Sequence, residues 1–379
     1  ATPWRALYLT DGGPFYTIPW GESTGRHRPH TSTSPELHAM IVILRSGADE
    51  AHVERIVSTI EEAGFGAHVS RGEERTIIGA IGTSPEMRPR LMEMFEGLPF
   101  VDRVVPVLKP YKLVSLEAEP EPSTVEVSGV PIGPGTFTVI AGPCAVESEE
   151  QLMTAARAVR DAGARLLRGG AYKPRTSPYD FQGLGEEGLR LLAAAREEFG
   201  LPVVSEARSP EHVEGVARYA DAIQIGARNM QNFDLLTEAG RTGMPVVLKR
   251  GFSSTVEEWM KAAEYVASVG NLNIILCERG VRTFEPSVRF TQDLAVIPIV
   301  RSLSHLPIIC DPSHASGRRD LVSPVSRGAL AAGADGLLVE VHPDPDRALC
   351  DPAQQLRPEQ FAGLMDSLRG LAGAIGRSV

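Results

Sequence analysis

The chain runs to 379 residues, of which 42% are apolar, with a mean hydropathy of -0.07 and a formal net charge of -10. No apolar run approaches the ~20 residues that cross a bilayer, which argues against a membrane role, and the acid excess argues against nucleic acid, a polyanion that selects a dominant basic surface. The length exceeds one average domain and suits a barrel of about 250 residues joined to a small partner domain.

From the N-terminus, residues 1–37 mix Gly, Pro, Thr, Ser and His with scattered aromatics and keep neither period 2 nor period 3.6, which predicts an irregular extension. They lack the basic segment and apolar core of a secretory signal, so a cytoplasmic protein is expected. Over residues 38–108 the pattern changes. MIVIL reads as a strand, and Asp49 to Gly64 places Val53, Ile56, Val57 and Ile60 on one helical face before stopping at Gly. AHVS and RTIIGAIG are two strands separated by RGEE, and a helix from about Pro85 to Glu96 with the strand VDRVVPVL completes the order βαββαβ. That order predicts a small ferredoxin-like domain, an architecture used for oligomer contacts or small-molecule sensing. Residues 109–136 form a Pro- and Glu-rich linker whose VEVSGVPIG can turn as a hairpin at Ser128 and Gly129 and plug a barrel floor.

From residue 137 to 379, strands alternate with helices. The eight strand runs are FTVIAGPC, RLLRGGA, PVVSEA, AIQIGA, PVVLKRG, NIILCERG, PIICDPSH and GLLVEVH, separated by helical stretches such as Glu186 to Glu198, Thr255 to Ser268 and Asp320 to Ala332, with a last helix from Pro358 to Ile375. Short β-branched strands between amphipathic helices predict a parallel sheet, and the count favours a closed (β/α)8 TIM barrel of α/β class. In such a barrel chemistry belongs to the C-terminal strand ends. Those ends carry Cys144, Arg168, Glu206, Arg228, Lys249, Arg279, His314 and Glu340, a ring whose charges are expected to need a ligand of opposite sign.

Two chemistries share the ring. Cys144, His314, Glu340 and, in the loop after the last strand, Asp351 offer a thiolate, an imidazole and two carboxylates for one divalent ion, with His342 a rival ligand because residues two apart on a strand share a face. This mixed set does not select among Mn, Fe, Co and Zn. Arg168, Lys173, Arg175, Arg228, Lys249 and Arg279 supply cations suited to two phosphates and a carboxylate. Lys173 is expected to act as proton donor or charge stabiliser, with a pKa lowered by the like charges around it. The four cysteines, Cys144, Cys277, Cys310 and Cys350, form no C-x-x-C pair and are too few for a disulfide framework, so free or metal-bound thiols are expected. Cys350, beside Asp351, is a candidate to bridge Cys144 when metal is absent.

The segments AGPCAVES, RGGAYKPRTSPYDFQGLG, QIGARNMQN, LKRG, ILCERG, DPSHASGRRD and VEVHPDP together closely resemble the 3-deoxy-D-arabino-heptulosonate 7-phosphate (DAHP) synthases over the whole barrel, and the small domain resembles the regulatory module of short bacterial members. The resemblance implies metal-dependent condensation of phosphoenolpyruvate with erythrose 4-phosphate, the first step of the shikimate pathway to aromatic amino acids. It also implies that Cys144, His314, Glu340 and Asp351 are metal ligands and that Arg168, Lys173, Arg228, Lys249 and Arg279 bind phosphoenolpyruvate. Arg175 and Thr176 of KPRTS would bind the sugar phosphate, and Glu206 would lie near the enol carbon. Lys173, Glu206 and His314 are the expected catalytic residues. Feedback by an aromatic amino acid at the small domain and a homotetramer are expected as well. The rival readings are a synthase using arabinose 5-phosphate, which KPRTS disfavours because that branch resembles KANRS there, and a non-catalytic phospho-ligand sensor.

Overall fold

The computed structural model describes residues 40–45, 47–71, 76–81, 87–106, 111–174 and 177–379. The expected irregular extension over residues 1–37 lies outside the described residues, as do 72–74 of RGEE, 75 and 82 of RTIIGAIG, 85 and 86 at the expected helix start, 107 and 108 of VDRVVPVL and the first two residues of the expected linker. Two compact units divide the chain after Leu108.

In the first unit, strict alternation over β1 (Met40–Leu44) buries Met40, Val42 and Leu44. Helix α1 (Glu50–Glu62) starts at Asp49, whose carboxylate accepts from His52 N at 3.0 Å while His52 Nδ1 accepts from Asp49 N at 3.2 Å. This reciprocal cap satisfies two amide groups that a helix start leaves unpaired. It turns Val53, Ile56 and Ile60 onto the sheet. Strands β2 (Gly66–Arg71) and β3 (Thr76–Ile81), helix α2 (Met87–Glu96) and β4 (Val101–Pro106) follow. The antiparallel sheet has the order β2-β3-β1-β4, with β1 and β3 central and β2 and β4 at the edges, the split βαβ arrangement expected of a ferredoxin-like domain.

The second unit begins with a segment that is tied down despite its polar composition. Tyr111 and Val114 are buried, and the amides of Lys112, Leu113 and Val114 all donate to the Glu264 carboxylate at 2.9, 2.9 and 3.2 Å. Next come the hairpin strands β5 (Val125–Val127) and β6 (Val130–Ile132). Ser128 and Gly129 between them have φ of 46° and 81°, the positive pair that a two-residue hairpin turn matched to strand twist requires.

Eight parallel strands then close into a barrel: β7 (Thr138–Gly142), β8 (Leu166–Arg168), β9 (Val203–Ala207), β10 (Ala222–Ile225), β11 (Val246–Lys249), β12 (Ile274–Glu278), β13 (Ile308–Cys310) and β14 (Gly336–Glu340), with β14 pairing β7. Around them lie α3 (Glu149–Ala162), α4 (Glu186–Phe199), α5 (Pro210–Tyr219), α6 (Phe233–Arg241), α7 (Val256–Ala267), α8 (Val296–Leu303), the short α9 (Pro312–Ser316), α10 (Arg319–Ala331) and α11 (Pro358–Ala374). Strand residues alternate faces: Val139, Leu167, Val203 and Leu248 pack outward on the helices, while Ile140, Leu166, Val204, Val247, Ile275 and Leu338 point inward. The inward set forms one cluster with Val125, Val127, Val130 and Ile132, so the hairpin fills the N-terminal end of the barrel. Each of those four side chains stabilises the fold by about 1.5–3 kcal/mol before ordering entropy is counted. Among the described residues no helix is long and apolar enough to cross a membrane.

The turn is the weak point of this plug, because a Cβ at Gly129 would meet no neighbour yet must sit at positive φ. Gly129→Val is therefore expected to lower the unfolding free energy by about 1–2 kcal/mol through backbone strain alone. Denaturant unfolding checks this, and an unchanged midpoint would refute the role given to the turn.

Candidate active site at the strand ends

Each expected site residue can be traced to the element that places it. Arg168, Lys249 and Glu340 are the last residues of β8, β11 and β14, and Glu206 is the fourth residue of β9. Cys144 stands two residues beyond β7, Arg279 one beyond β12, and Arg228 in a single 3-10 turn after β10. His314 departs from expectation. β13 ends at Cys310, and Asp311 caps α9, accepting from His314 N at 3.0 Å, so the imidazole hangs from a helical turn. The reason is local: Pro312 has no amide to continue a ladder and suits the first helical position. Arg175 and Thr176 lie outside the described residues.

Four donors converge. Cys144 Sγ, a nitrogen of His314 and one oxygen each of Glu340 and Asp351 all lie within 4.8 Å of one another. His314 Nε2 is 3.3 Å from Glu340 and 4.0 Å from Asp351, and Cys144 Sγ is 3.8 Å from Asp351. Cys144 and Glu340 have no solvent exposure, and Asp351 is held at a φ of 46°, rare for a residue with a Cβ. A sulfur, an imidazole and two carboxylates brought together at a largely buried point fit a divalent ion, since like-signed carboxylates otherwise repel. The hydrogen bond to Cys350, then burial and the field of Glu340, push the Cys144 thiol well above its usual range, so a metal must displace a proton there. Cys350 Sγ is 3.2 Å from Cys144 Sγ, and both are free thiols.

His342 does not join this cluster. Its Nδ1 accepts from Asp344 N at 3.0 Å, and its Nε2 lies 3.3 Å from Glu147. The two-residue period fails because β14 ends at Glu340.

Beside the donors lies an open cavity of about 720 Å³, mouth included, lined by Lys173, Arg228, Lys249 and Arg279 among others. The ring does not repel itself in the manner the strand ends suggested. Arg168 pairs with Glu340 at 2.8 Å and Lys249 with Asp311 at 2.6 Å, both nearly free of solvent. Arg168 also donates to Pro143 O at 2.9 Å, which leaves its Nε buried and without a hydrogen-bond partner among the described residues. Arg279 rests against Phe252 and Phe290, with ring centroids 4.8 and 4.2 Å from its guanidinium carbon, and its buried NH1 is likewise unpartnered. Burial pulls Arg279 down to about 10, which still leaves it charged at neutral pH. Arg228 also lies over the Phe252 ring, 5.3 Å from its centroid.

The expectation for Lys173 reverses. Its Nζ donates to Cys144 O at 2.9 Å and Sγ at 3.2 Å. Burial acts to lower its pKa, but the fields of Cys144, Cys350 and Glu340 outweigh burial and Arg168, and the net shift is upward. Sequence adjacency to arginines overlooked the sulfurs and carboxylate that the fold brings nearer.

Several residues escaped the sequence reading. Asp311 touches both Lys249 and His314, and its D-x-x-H spacing is an N-cap signal that could have revealed it. Gln354 donates to Glu340 at 2.7 Å, Arg289 pairs with Asp351 at 3.2 Å, and Gln355 accepts from Cys144 N at 2.9 Å; nothing local marks these. Gln224 donates to Glu206 at 3.1 Å and leaves the other Glu206 oxygen buried without a partner.

A closed barrel with a metal-donor cluster and a cationic cavity at its strand ends defines a barrel enzyme for small anionic substrates. Residues 115–373 match the model of the DAHP synthetase I family, and residues 40–109 match that of the DAHP synthase ferredoxin-like domain. The chain belongs to the DAHP synthetase I family. It is 52% identical over 340 residues to a phospho-2-dehydro-3-deoxyheptonate aldolase of Thermotoga maritima, covering 90% of this chain and 100% of that protein. A 2-dehydro-3-deoxyphosphooctonate aldolase of Syntrophotalea carbinolica is 37% identical over 258 residues, 63% of this chain and 92% of that one. A crystal structure of the Thermotoga maritima DAHP synthase superposes with a TM-score of 0.73 at 50% identity, covering 90% of this chain and 99% of that chain. A truncated form of the Thermotoga maritima enzyme gives 0.67 at 50% identity over 71% of this chain and 99% of that chain.

Removing one partner of the Arg168–Glu340 pair strands a buried charge. Glu340→Ala is expected to cost about 3–5 kcal/mol of folding stability and to remove metal binding. Urea unfolding and Mn2+ titration measure both; full stability would show that the pair is not anchoring the site.

Proposed function

We propose that the barrel joins phosphoenolpyruvate to erythrose 4-phosphate, releasing DAHP and inorganic phosphate as the first step of the shikimate pathway. The observation that carries this reading is the four-donor cluster bordering a cationic cavity, in a chain 52% identical to a named phospho-2-dehydro-3-deoxyheptonate aldolase. Cys144, His314, Glu340 and Asp351 would hold one divalent ion, with Mn, Fe, Co and Zn all compatible. When bound, that ion supplies a Lewis acid for the aldehyde oxygen of the sugar phosphate.

The chain's own residues do the rest. Lys173, Lys249, Arg228 and Arg279 line the cavity and take the phosphate and carboxylate of phosphoenolpyruvate, with Arg168, buried at the end of β8 against Glu340, as the remaining cation. Arg175 and Thr176 take the sugar phosphate. Holding two mutually repelling anions with their carbons near contact lowers the barrier by ~7–11 kcal/mol. C3 of phosphoenolpyruvate attacks the aldehyde carbon, water adds at C2, and the C2–O bond breaks as phosphate departs. Lys173, whose pKa is raised, suits a stabiliser of the developing alkoxide better than an acid that gives up its proton. Glu206 lines the cavity with Oε2 accepting from Gln224 and Oε1 without a hydrogen-bond partner among the described residues, and would orient the water near the enol carbon.

The small unit is read as a regulatory domain that binds an aromatic amino acid, in a cytoplasmic homotetramer. Its family match supports regulation.

Purified protein given Mn2+ and phosphoenolpyruvate should release phosphate with erythrose 4-phosphate, much less with arabinose 5-phosphate, and none after chelation. Silence with erythrose 4-phosphate would sink the reading, and preference for the pentose would favour the octonate branch. A Cβ at Gly226 would fall 2.1 Å from a Glu206 oxygen, so Gly226→Ala should displace that carboxylate. Turnover is then expected to drop about 10²-fold while the melting curve holds. Removal of residues 1–108 should abolish inhibition by phenylalanine or tyrosine and spare activity; inhibition that survives the deletion refutes regulation through the small domain.

A further inference from the structure

Asp311 serves two masters with one oxygen. It is fully buried at the start of α9, and its Oδ2 accepts from Lys249 Nζ at 2.6 Å and from His314 Nδ1 at 2.7 Å, while Oδ1 accepts from His314 N at 3.0 Å. An ionised carboxylate only accepts, so Nδ1 carries the imidazole proton and Nε2 keeps its lone pair. Nε2 is the nitrogen 3.3 Å from Glu340 and 4.0 Å from Asp351, within the four-donor cluster. Lys249 stands on the other side, as a cation of the cavity that His314 also lines. A single side chain therefore fixes the tautomer of a metal-donor residue and the position of an anion-binding ammonium.

The two donors compete for Oδ2. An anion seated on Lys249 draws the ammonium's field away from Asp311, which then accepts more strongly from Nδ1–H and makes Nε2 a better electron-pair donor. We propose that Asp311 is a positioning residue that couples the two halves of the site: phosphoenolpyruvate on Lys249 tightens the grip of His314 on the divalent ion, and the ion reciprocally tightens phosphoenolpyruvate. This rests on the ligands proposed for the site and adds the route by which each senses the other. Direct attraction between the ion and the substrate also favours joint binding, but it acts through space and does not need Asp311.

The test is calorimetric titration of Mn2+ into metal-free, full-length protein with and without saturating phosphoenolpyruvate, no second substrate being present. In the wild type, phosphoenolpyruvate is expected to tighten Mn2+ about 5-fold or more. Asp311→Asn keeps the shape of the side chain, should weaken Mn2+ about 10–100-fold, and should shrink the phosphoenolpyruvate effect to about twofold. Lys249→Gln keeps Asp311 and releases its oxygen to the imidazole, so Mn2+ alone should bind more tightly than in the wild type and gain little from phosphoenolpyruvate. An Asp311→Asn protein that loses Mn2+ affinity but keeps the wild-type gain would mean that Asp311 only supports the imidazole, and the coupling is overturned. Unchanged Mn2+ affinity in Lys249→Gln overturns it independently. If phosphoenolpyruvate fails to bind the wild type at all, the proposed reaction falls together with the coupling, whereas the two variant outcomes leave that reaction standing.

Discussion

Arg168 and Glu340 meet at 2.8 Å with 3% and 0% of their side-chain surface exposed. Placing either ion in so dry a location alone costs several kcal/mol, and only its partner offsets this. Lys249, ending β11, and Asp311, just past β13, repeat the arrangement on the same rim, each pair bridging one intervening strand. These pairs are the condition for everything else at the barrel mouth. They hold Glu340 and the Asp311–His314 unit among the converging donors, and they cancel charge that would otherwise force the strand ends apart. What remains uncancelled is then directional: Arg279 with a bare NH1 backed by two phenyl rings, Arg228 on the same ring, and Lys173 above the sulfurs. Because Arg279 and Lys173 are already desolvated and held in place, an anion entering the cavity meets donors that need little reorganisation.

Much of the frame was legible in the sequence because it is set by local rules. Eight β-branched runs separated by amphipathic helices leave few alternatives to a closed parallel sheet, and the Ser128–Gly129 turn announces its hairpin through residues that tolerate positive φ. The Asp49 cap and the face of Val53, Ile56 and Ile60 are equally local. The converging donors could be named from strand ends and family motifs, and the fold does bring Cys144, His314, Glu340 and Asp351 together.

The illegible part is long-range electrostatics. Arg168 finds Glu340 across 172 residues and Lys249 finds Asp311 across 62, distances over which no spacing rule operates. Reading the rim as unpaired charge followed from that blindness, and so did the wrong sign for Lys173, whose decisive neighbours are sulfurs contributed by Cys144 and Cys350. His342 misled in a different way. Its alternation with Glu340 is real in the sequence, but the strand stops between them and the ring turns to Glu147.

The hairpin at the barrel floor imposes an order on assembly. Val125 to Ile132 can pair within themselves as soon as they leave the ribosome, since a hairpin closes in roughly 1–10 μs. Their seat is another matter: it is made by inward residues running from Ile140 to Leu338, and so does not exist until the last strand has been synthesised. A small sheet of four aliphatic side chains therefore waits through nearly the whole of translation for its socket. Closure of the barrel and docking of the plug become one late event, and the nascent chain must keep this sticky patch from premature company until it happens.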